Sequence, residues 1–239
     1  MGEKMLCHKY KCIYIHIPKT AGKSIQHVFA KQLGLGSRKG SKLLVGMNDD
    51  PALGPPELSH LKASEYVHYG YLTQEQFDSY FKFAFVRNPW DRIVSEYKFR
   101  GYPRKTDFKT YLFNHLPEPS WTDRYIHTIP QYDFIFDDSG NLLVDYLGKF
   151  ERLRQDFDEV CHKIGIPQVT LPHKNISSRV LKLPWTVAGA ARILINMVSI
   201  KRKKNIFNHY TEYYDDESRE FVADLYRQDI ETFGYEFGR

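Results

Sequence analysis

The residues with the clearest chemical potential follow a short apolar run near the start of the chain. Lys19 and Lys23 are cations, and Thr20 and Ser24 add hydroxyl donors. Gly22 lets the main chain approach a ligand closely. A helix that begins here adds free N–H groups and about half a positive charge, so the stretch suits a phosphate held mainly by main chain. The full stretch is His16-Ile17-Pro18-Lys19-Thr20-Ala21-Gly22-Lys23-Ser24-Ile25.

Two other interpretations of this stretch carry less weight. Gly22-Lys23-Ser24 matches the end of a Walker A loop, but that loop needs a glycine where the chain has Ile17. ATP or GTP with magnesium is therefore a less favoured prediction for the ligand of this stretch. A helix start that binds nothing would crowd Lys19 and Lys23 beside a positive helix end, which is unfavourable unless an anion neutralises them.

A second stretch with unusual chemistry follows another apolar run, Phe81-Lys82-Phe83-Ala84-Phe85-Val86. Arg87 leaves the end of this run, and Ser95 lies two helical turns further on. A guanidinium and a hydroxyl suit a second phosphate. The alternative is a surface in which Asp91 and Arg92 form an ion pair.

Both stretches require a strand, a tight loop and a helix in that order. Such alternation predicts an α/β fold, P-loop-like, with a central, mainly parallel sheet flanked by helices. Ligands in such sheets bind at the carboxyl ends of the strands, where both stretches fall. Elsewhere the patterns predict a helical region over 59–81 that is interrupted at Gly70, a hairpin over 134–144, a helix over 150–164 and a final helix over 217–233.

Composition places the chain among ordinary globular proteins. A length of 239 residues, with 42% hydrophobic and 26% charged residues, predicts one domain over 1–239 and excludes a disordered or fibrous protein. Three cysteines without a C-x-x-C pair indicate reduced thiols and a cytoplasmic protein. The chain shows neither a signal peptide nor an apolar run long enough to span a membrane.

The positive charge is concentrated in one segment. The formal net charge is +5, but 179–204 contains seven basic residues and no acidic residue. This argues against a nucleic-acid-binding surface spread over the whole fold. We interpret 179–208, which also contains many apolar residues, as an insert. It is either a packed helix followed by a solvated loop, which is slightly favoured, or an element that contacts an acceptor or a membrane surface.

Together, the two motifs resemble those of sulfotransferases that use PAPS (3′-phosphoadenosine 5′-phosphosulfate). The chain is most similar to the carbohydrate sulfotransferases whose first motif reads HIPKTAGTS, which are related to the heparan- and chondroitin-sulfating enzymes. The similarity extends to 171–175 and to 229–235. Lys23 stands where that family has Thr or Ser. This leaves open which lysine faces the transferring group, and position in the motif favours Lys19.

The resemblance implies that the first motif binds the 5′-phosphosulfate and that Arg87 with Ser95 binds the 3′-phosphate. The implied residues of the first motif are Lys19, Thr20, Ala21, Gly22, Lys23, Ser24 and Ile25. The reaction would be an in-line transfer of a sulfuryl group to a carbohydrate hydroxyl, releasing PAP. No metal is expected, because lysine and main-chain donors can stabilise the leaving phosphate. An anionic or lipid-linked acceptor would suit the basic insert.

Such a reaction also needs a base for the acceptor hydroxyl. The candidates are His60 and His68, with His60 narrowly favoured, and Glu96 is a weaker one because it shares a helix with Ser95. His16 is interpreted as a structural strand residue. The alternatives to a sulfotransferase are a P-loop-type nucleotide kinase or NTPase, and a non-catalytic module that binds nucleotides or polyanions.

Overall fold

A mixed four-stranded sheet forms the centre of the protein. The computed structural model describes residues 6–32, 47–167, 171 and 206–239. In these residues the strands are β1 (Leu6–Cys7), β2 (Cys12–Ile15), β3 (Phe81–Val86) and β4 (Tyr146–Lys149), in that spatial order. The β1–β2 pair is antiparallel, whereas β2–β3 and β3–β4 are parallel.

Helices surround this sheet. The described helices are α1 (Gly22–Gln32), α2 (Glu65–His68), α3 (Gln74–Ser79), α4 (Pro89–Phe99), α5 (Phe108–Asn114), α6 (Asp123–Ile126), α7 (Tyr132–Ile135), α8 (Leu153–Ile164), α9 (Asp216–Leu225) and α10 (Arg227–Phe233). This mixed α/β architecture is compatible with the P-loop-like fold expected from the sequence. None of the described helices is both long and apolar enough to cross a bilayer.

The strands form where β-branched and aromatic residues occur in unbroken runs. All four residues of β2 are buried, as are five of the six residues of β3. Strands buried on both faces are typical of parallel sheets covered by helices. The rings of Tyr14 and Phe83 stack across the β2–β3 pair at 5.1 Å, and Phe85 packs against Phe157 of α8. This aromatic core holds the carboxyl ends of β2 and β3 side by side.

Two helical predictions were too long. The predicted interruption at Gly70 is confirmed, since Gly70 adopts a left-handed conformation (φ 68°), but the α-helices of the region 59–81 are only the short α2 and α3. Thr73 and Gln76 form a capping box at the start of α3. The final helix divides into α9 and α10 at Tyr226, whose buried hydroxyl donates to the carbonyl oxygen of Thr128 at 2.7 Å.

The predicted hairpin is also corrected. Most of its first strand is the short helix α7, and only one bridge, between Phe136 and Leu142, remains of the pairing. The carboxylate of buried Asp229 accepts from the backbone N–H groups of Gln131 and Tyr132 and so stabilises the start of α7. A distant side chain therefore outweighs the local strand propensity.

Other predictions agree with the structure or lie outside it. Helix α8 ends at Gly165 as expected, and the three cysteines are buried and form no disulfide with one another. The insert lies outside the described residues except for 206–208, and the similar segment 171–175 lies outside them except for Leu171.

Candidate functional site

The loop between β2 and α1 has an unusual main-chain conformation. Lys19 and Ala21 have positive φ angles of 72° and 75°, although neither is glycine. Alternating left-handed residues turn successive N–H groups toward one point and create an anion-binding concavity. The hydroxyl of Thr20 donates to the carbonyl oxygen of Ile17 at 2.8 Å and fixes the loop, while buried Ser24 donates its backbone N–H to Ala21. The predicted phosphate loop thus has the backbone shape that an anion needs.

Gly22 is required here for a reason that the sequence did not indicate. A Cβ atom added at Gly22 would lie 1.7 Å from Nε2 of His16. Glycine therefore makes room for a buried imidazole. His16 stacks on Tyr14 and couples the end of β2 to the first turn of α1.

We expect Gly22→Ala to destabilise the protein, because the new methyl group displaces the His16 ring. Overpacking of this kind costs about 1–3 kcal/mol, which thermal unfolding would register as a lower Tm. The same substitution in a His16→Ala background should cost less, since the imidazole is gone. Equal losses in both backgrounds would contradict this explanation.

Lys19 lies between the loop and α4. Its Nζ is 3.8 Å from the centre of the Phe99 ring. Burial lowers the pKa of Lys19 to about 8; nearby Glu96 opposes this shift, and the positive charges of Arg87 and Lys23 add to it. A cation that is partly stripped of water is well suited to stabilise charge on a bound anion.

The remaining residues of the first motif differ in what they can offer. Lys23 is exposed, with its Nζ 5.2 Å from the centre of the Phe99 ring, so both lysines flank one aromatic side chain. Ile25 is fully buried in the core and presents only main chain to the loop. Its N–H is directed at the carbonyl oxygen of Ala21, at 3.4 Å.

Arg87 connects the two motifs directly. Its Nη1 donates to the carbonyl oxygen of Lys19 at 3.0 Å, and its Nε and Nη2 both donate to one carboxylate oxygen of Asp91. The guanidinium also lies over the Phe150 ring at 4.1 Å. These contacts fix the positive charge of the Arg87 guanidinium beside the loop.

The ion pair on α4 that was the alternative interpretation of the second stretch does not form with Arg92. Asp91 pairs with Arg87, not with Arg92. Arg92 is 1% exposed and donates to the carbonyl oxygens of His127 and Ile129. It therefore anchors the segment after α6 and is not a surface residue.

Ser95 lies between two residues that contact the first motif. Asp91, Ser95 and Phe99 follow one another at intervals of four residues and share a face of α4. Asp91 holds Arg87, and Phe99 lies beneath Lys19. Ser95 is therefore on the face of α4 toward the loop.

His60 lies in a cluster of imidazoles beside the loop. It ends a short 3₁₀ turn (Leu58–His60), is 4% exposed, and its ring centre lies 4.6 Å from that of His16. Its Nδ1 donates to the carbonyl oxygen of His16 at 3.1 Å, which leaves the lone pair on Nε2. Burial, reinforced by the nearby charge of His127, lowers the pKa of His60 to about 4.

His68 lies elsewhere. It is exposed at the end of α2, where its ring packs edge-on against Tyr69. Among the residues that the structure describes, its side chain makes no contact with the loop or with His60. The structure therefore places His60, but not His68, beside the loop between β2 and α1.

A further histidine that the sequence did not single out completes the cluster. The ring of His127 lies edge-on to that of His60 at 5.0 Å, and its Nδ1 donates to Glu96 at 2.8 Å. Its Nε2 lies 3.3 Å from Oδ1 of Asp123. Burial alone would lower the pKa of His127, but the two carboxylates outweigh it and raise this pKa.

Glu96 supports this histidine and is not a free base. Both of its oxygens are occupied, one by Arg100 and the other by His127. Burial alone would raise the pKa of Glu96, but these two partners hold it below its usual range. The weaker candidate for the base therefore orients another residue.

A local signal for His127 did exist. Thr122 caps α6, and Asp123 and His127 are four residues apart, on one face of a helical turn. The pairing of His127 with Glu96 could not be predicted from the sequence, because these residues are 31 positions apart.

Comparison with known proteins agrees with this geometry. The family model described as the sulfotransferase family matches residues 3–236. The chain belongs to the sulfotransferase family. An uncharacterized protein of Archaeoglobus fulgidus is 34% identical over 94 residues, which are 38% of this chain and 73% of the relative. No solved structure matches the chain.

Family membership makes sulfuryl transfer the general activity of this sulfotransferase. The described site brings together three elements suited to it. These are a loop with two left-handed residues at a helix N-terminus, two cations beside that loop and a neutral imidazole with a lone pair on Nε2.

Proposed function

We propose that this protein transfers the sulfuryl group of PAPS to a hydroxyl group of a carbohydrate. The observation that carries the proposal is the hydrogen bond from Arg87 to the carbonyl oxygen of Lys19. It holds a guanidinium against the back of a left-handed phosphate loop, so that two anion-binding groups lie at the ends of adjacent strands. A nucleotide with separate 5′ and 3′ anionic groups matches this arrangement.

In the proposed mechanism the loop residues hold the 5′-phosphosulfate and Arg87 with Ser95 holds the 3′-phosphate. The acceptor hydroxyl oxygen attacks sulfur while its proton passes to Nε2 of His60. The bond between sulfur and the bridging oxygen breaks, and that oxygen leaves on the 5′-phosphate of PAP. Lys19 stabilises the negative charge that develops there.

The acceptor proposal rests on the resemblance and on charge. Exposed Lys23 lies beside the loop, and partly buried Arg100 donates to Asp123 near the histidine cluster. An anionic sugar would be attracted to such cations. A lipid-linked acceptor or membrane contact through 179–208 remains a proposal from the sequence.

Calorimetry with PAP, ADP and ATP tests the nucleotide class before the acceptor is identified. We expect PAP to bind more tightly than either adenosine di- or triphosphate, because only PAP carries a 3′-phosphate. Preference for ATP, with magnesium-dependent turnover, would instead favour a kinase. Tight PAP binding without sulfation of any glycan in a panel would favour a non-catalytic module.

We expect kcat/KM for PAPS to fall as the pH rises through about 8. Burial lowers the pKa of Lys19 to about 8, so the cation is present below that pH and is lost above it. Arginine stays protonated in this range, so Lys19→Arg should show no such alkaline loss, whatever its absolute rate. An identical alkaline limb in Lys19→Arg would assign the titration to another group.

We expect His60→Ala to lower the rate of sulfuryl transfer more than His68→Ala does. A positioned base contributes about 10²–10⁴-fold, and only His60 lies among the phosphate-binding elements. Initial rates at saturating PAPS would measure both. The reverse order would assign the base to His68, and full activity in both variants would exclude both residues.

A further inference from the structure

Three side chains beside the phosphate loop form an arrangement that the proposed reaction does not use as a whole. They are His60, Asp123 and His127, and one nitrogen or oxygen atom of each lies within 4.8 Å of those of the other two. They come from the 3₁₀ turn before α2 and from the two ends of the α6 turn. Helical spacing places Asp123 beside His127, and the fold adds His60 to this pair.

The ring nitrogens are oriented as in a metal centre. In both histidines Nδ1 is occupied, by the carbonyl oxygen of His16 for His60 and by Glu96 for His127. Each ring therefore has only Nε2 available to the shared space. A carboxylate or a carbonyl behind each ligating imidazole is the usual outer shell of protein metal sites.

The carboxylate is arranged in the same way. Oδ2 of Asp123 accepts from Arg100 at 2.7 Å, and Oδ1 lies 3.3 Å from Nε2 of His127. Two ligands that bind zinc tetrahedrally at about 2.0–2.1 Å are themselves roughly 3.3 Å apart. The observed separation therefore already fits two ligands of one ion.

The polar atoms at this point have no hydrogen-bond partner. Nε2 of His127 and Oδ1 of Asp123 are both buried and make no hydrogen bond within the described residues, although they lie 3.3 Å apart and would form an ion pair if His127 were protonated. His127 is only 6% exposed. Unpaired buried polar atoms are costly, and a cation between them would satisfy both.

The charge balance also favours a cation. Three carboxylates contact the group: Asp123 belongs to it, Glu96 binds His127, and Oε2 of Glu57 lies 3.8 Å from Nε2 of His60. Arg100 is the positive group in contact with two of them, Glu96 and Asp123. With neutral imidazoles these four groups carry two excess negative charges, and the cation of Lys19, which interacts with Glu96, offsets one of them. The competing occupant is a proton on His127, which would pair with Asp123.

We propose that His60, Asp123 and His127 bind a divalent transition metal of the zinc class through Nε2, Oδ1 and Nε2. The two imidazoles and one carboxylate suit such an ion better than magnesium or calcium, which prefer oxygen ligands. Asp123 is the most exposed of the three and marks the side from which the ion enters. This site goes beyond the proposed sulfuryl transfer and does not depend on it.

The test uses the full chain, stripped with EDTA and freed of the chelator, and titrated with zinc chloride alone by calorimetry. We expect one zinc ion per chain and a rise in Tm on binding. Asp123→Asn and His127→Gln should each weaken binding at least tenfold, and His68→Ala is the matched control outside the site. Glu96→Gln, which retains all three ligands, should weaken binding less.

Absence of zinc binding, or binding that neither ligand variant weakens, would overturn the proposal. Circular dichroism will show whether Asp123→Asn or His127→Gln fails to fold. In that case the Glu96→Gln variant provides the test, and we expect its affinity for zinc to be lower than that of the original protein. Unchanged affinity in a folded Glu96→Gln variant would then count against the site.

One consequence does rest on the proposed function. A metal on Nε2 of His60 occupies the nitrogen that would accept the proton, so we expect zinc to inhibit sulfuryl transfer and Asp123→Asn to relieve the inhibition. Zinc binding without inhibition would support the metal site and would remove His60 from the role of base.

Discussion

Replacing Lys19 by alanine should lower kcat for sulfuryl transfer about 100- to 1,000-fold, the usual cost of losing one group that stabilises transition-state charge. Lys19 is the less exposed of the two lysines of the loop, and its ammonium lies over Phe99. Release of PAP from PAPS, with a panel of glycans as acceptors, would measure the loss. The left-handed conformation at this position costs alanine as much as lysine, so the change removes the charge without adding strain.

Lys23→Ala is the matched control for this substitution. Lys23 lies near the same ring but is exposed, so its charge is screened by water and should matter less. A larger loss in Lys23→Ala than in Lys19→Ala would show that the lysine which departs from the family motif faces the transferring group. Unchanged turnover in Lys19→Ala would remove Lys19 from the leaving-group role.

Replacing Arg87 by alanine should weaken PAP binding by about 2–5 kcal/mol, the cost of losing one member of a buried charge pair. The guanidinium is largely buried, with 13% of its side chain exposed, and both Asp91 and the carbonyl of Lys19 hold it in place. Calorimetry would measure the loss. The physical reason is that the 3′-phosphate then loses a charge-assisted donor whose orientation was already fixed.

A second ligand separates this effect from damage to the fold. Adenosine 5′-phosphate lacks the 3′-phosphate, so its affinity should fall much less in Arg87→Ala than that of PAP. If both affinities fall equally, the substitution has disturbed the loop through the lost Lys19 contact. If the original protein binds PAP and adenosine 5′-phosphate equally, Arg87 does not read the 3′-phosphate.

The two strand–loop–helix units were predictable because their signals are local. The apolar runs of β2 and β3 and the abrupt change to polar residues at Lys19 and Arg87 need no distant contact. The errors occurred where a distant group decides the local conformation. Asp229 stabilises the helical start of α7, and the buried hydroxyl of Tyr226 accompanies the break between α9 and α10.

The same distinction applies to the site. The first motif predicted a phosphate loop, but the structure attributes the need for Gly22 to the ring of His16. It also pairs Asp91 with Arg87, because the guanidinium of Arg92 is buried against two carbonyl groups.

By itself, the sequence determined that two turns rich in cations and hydroxyl groups follow the ends of two strands, since short-range spacing encodes such turns. Only the tertiary structure decided which histidine lies beside them and which partners surround it. His60, His127 and Glu96 are far apart along the chain and meet because packing around the sheet closes long loops between them. Contacts of that kind leave no periodicity in a single sequence, because each partner's position is set by a different element.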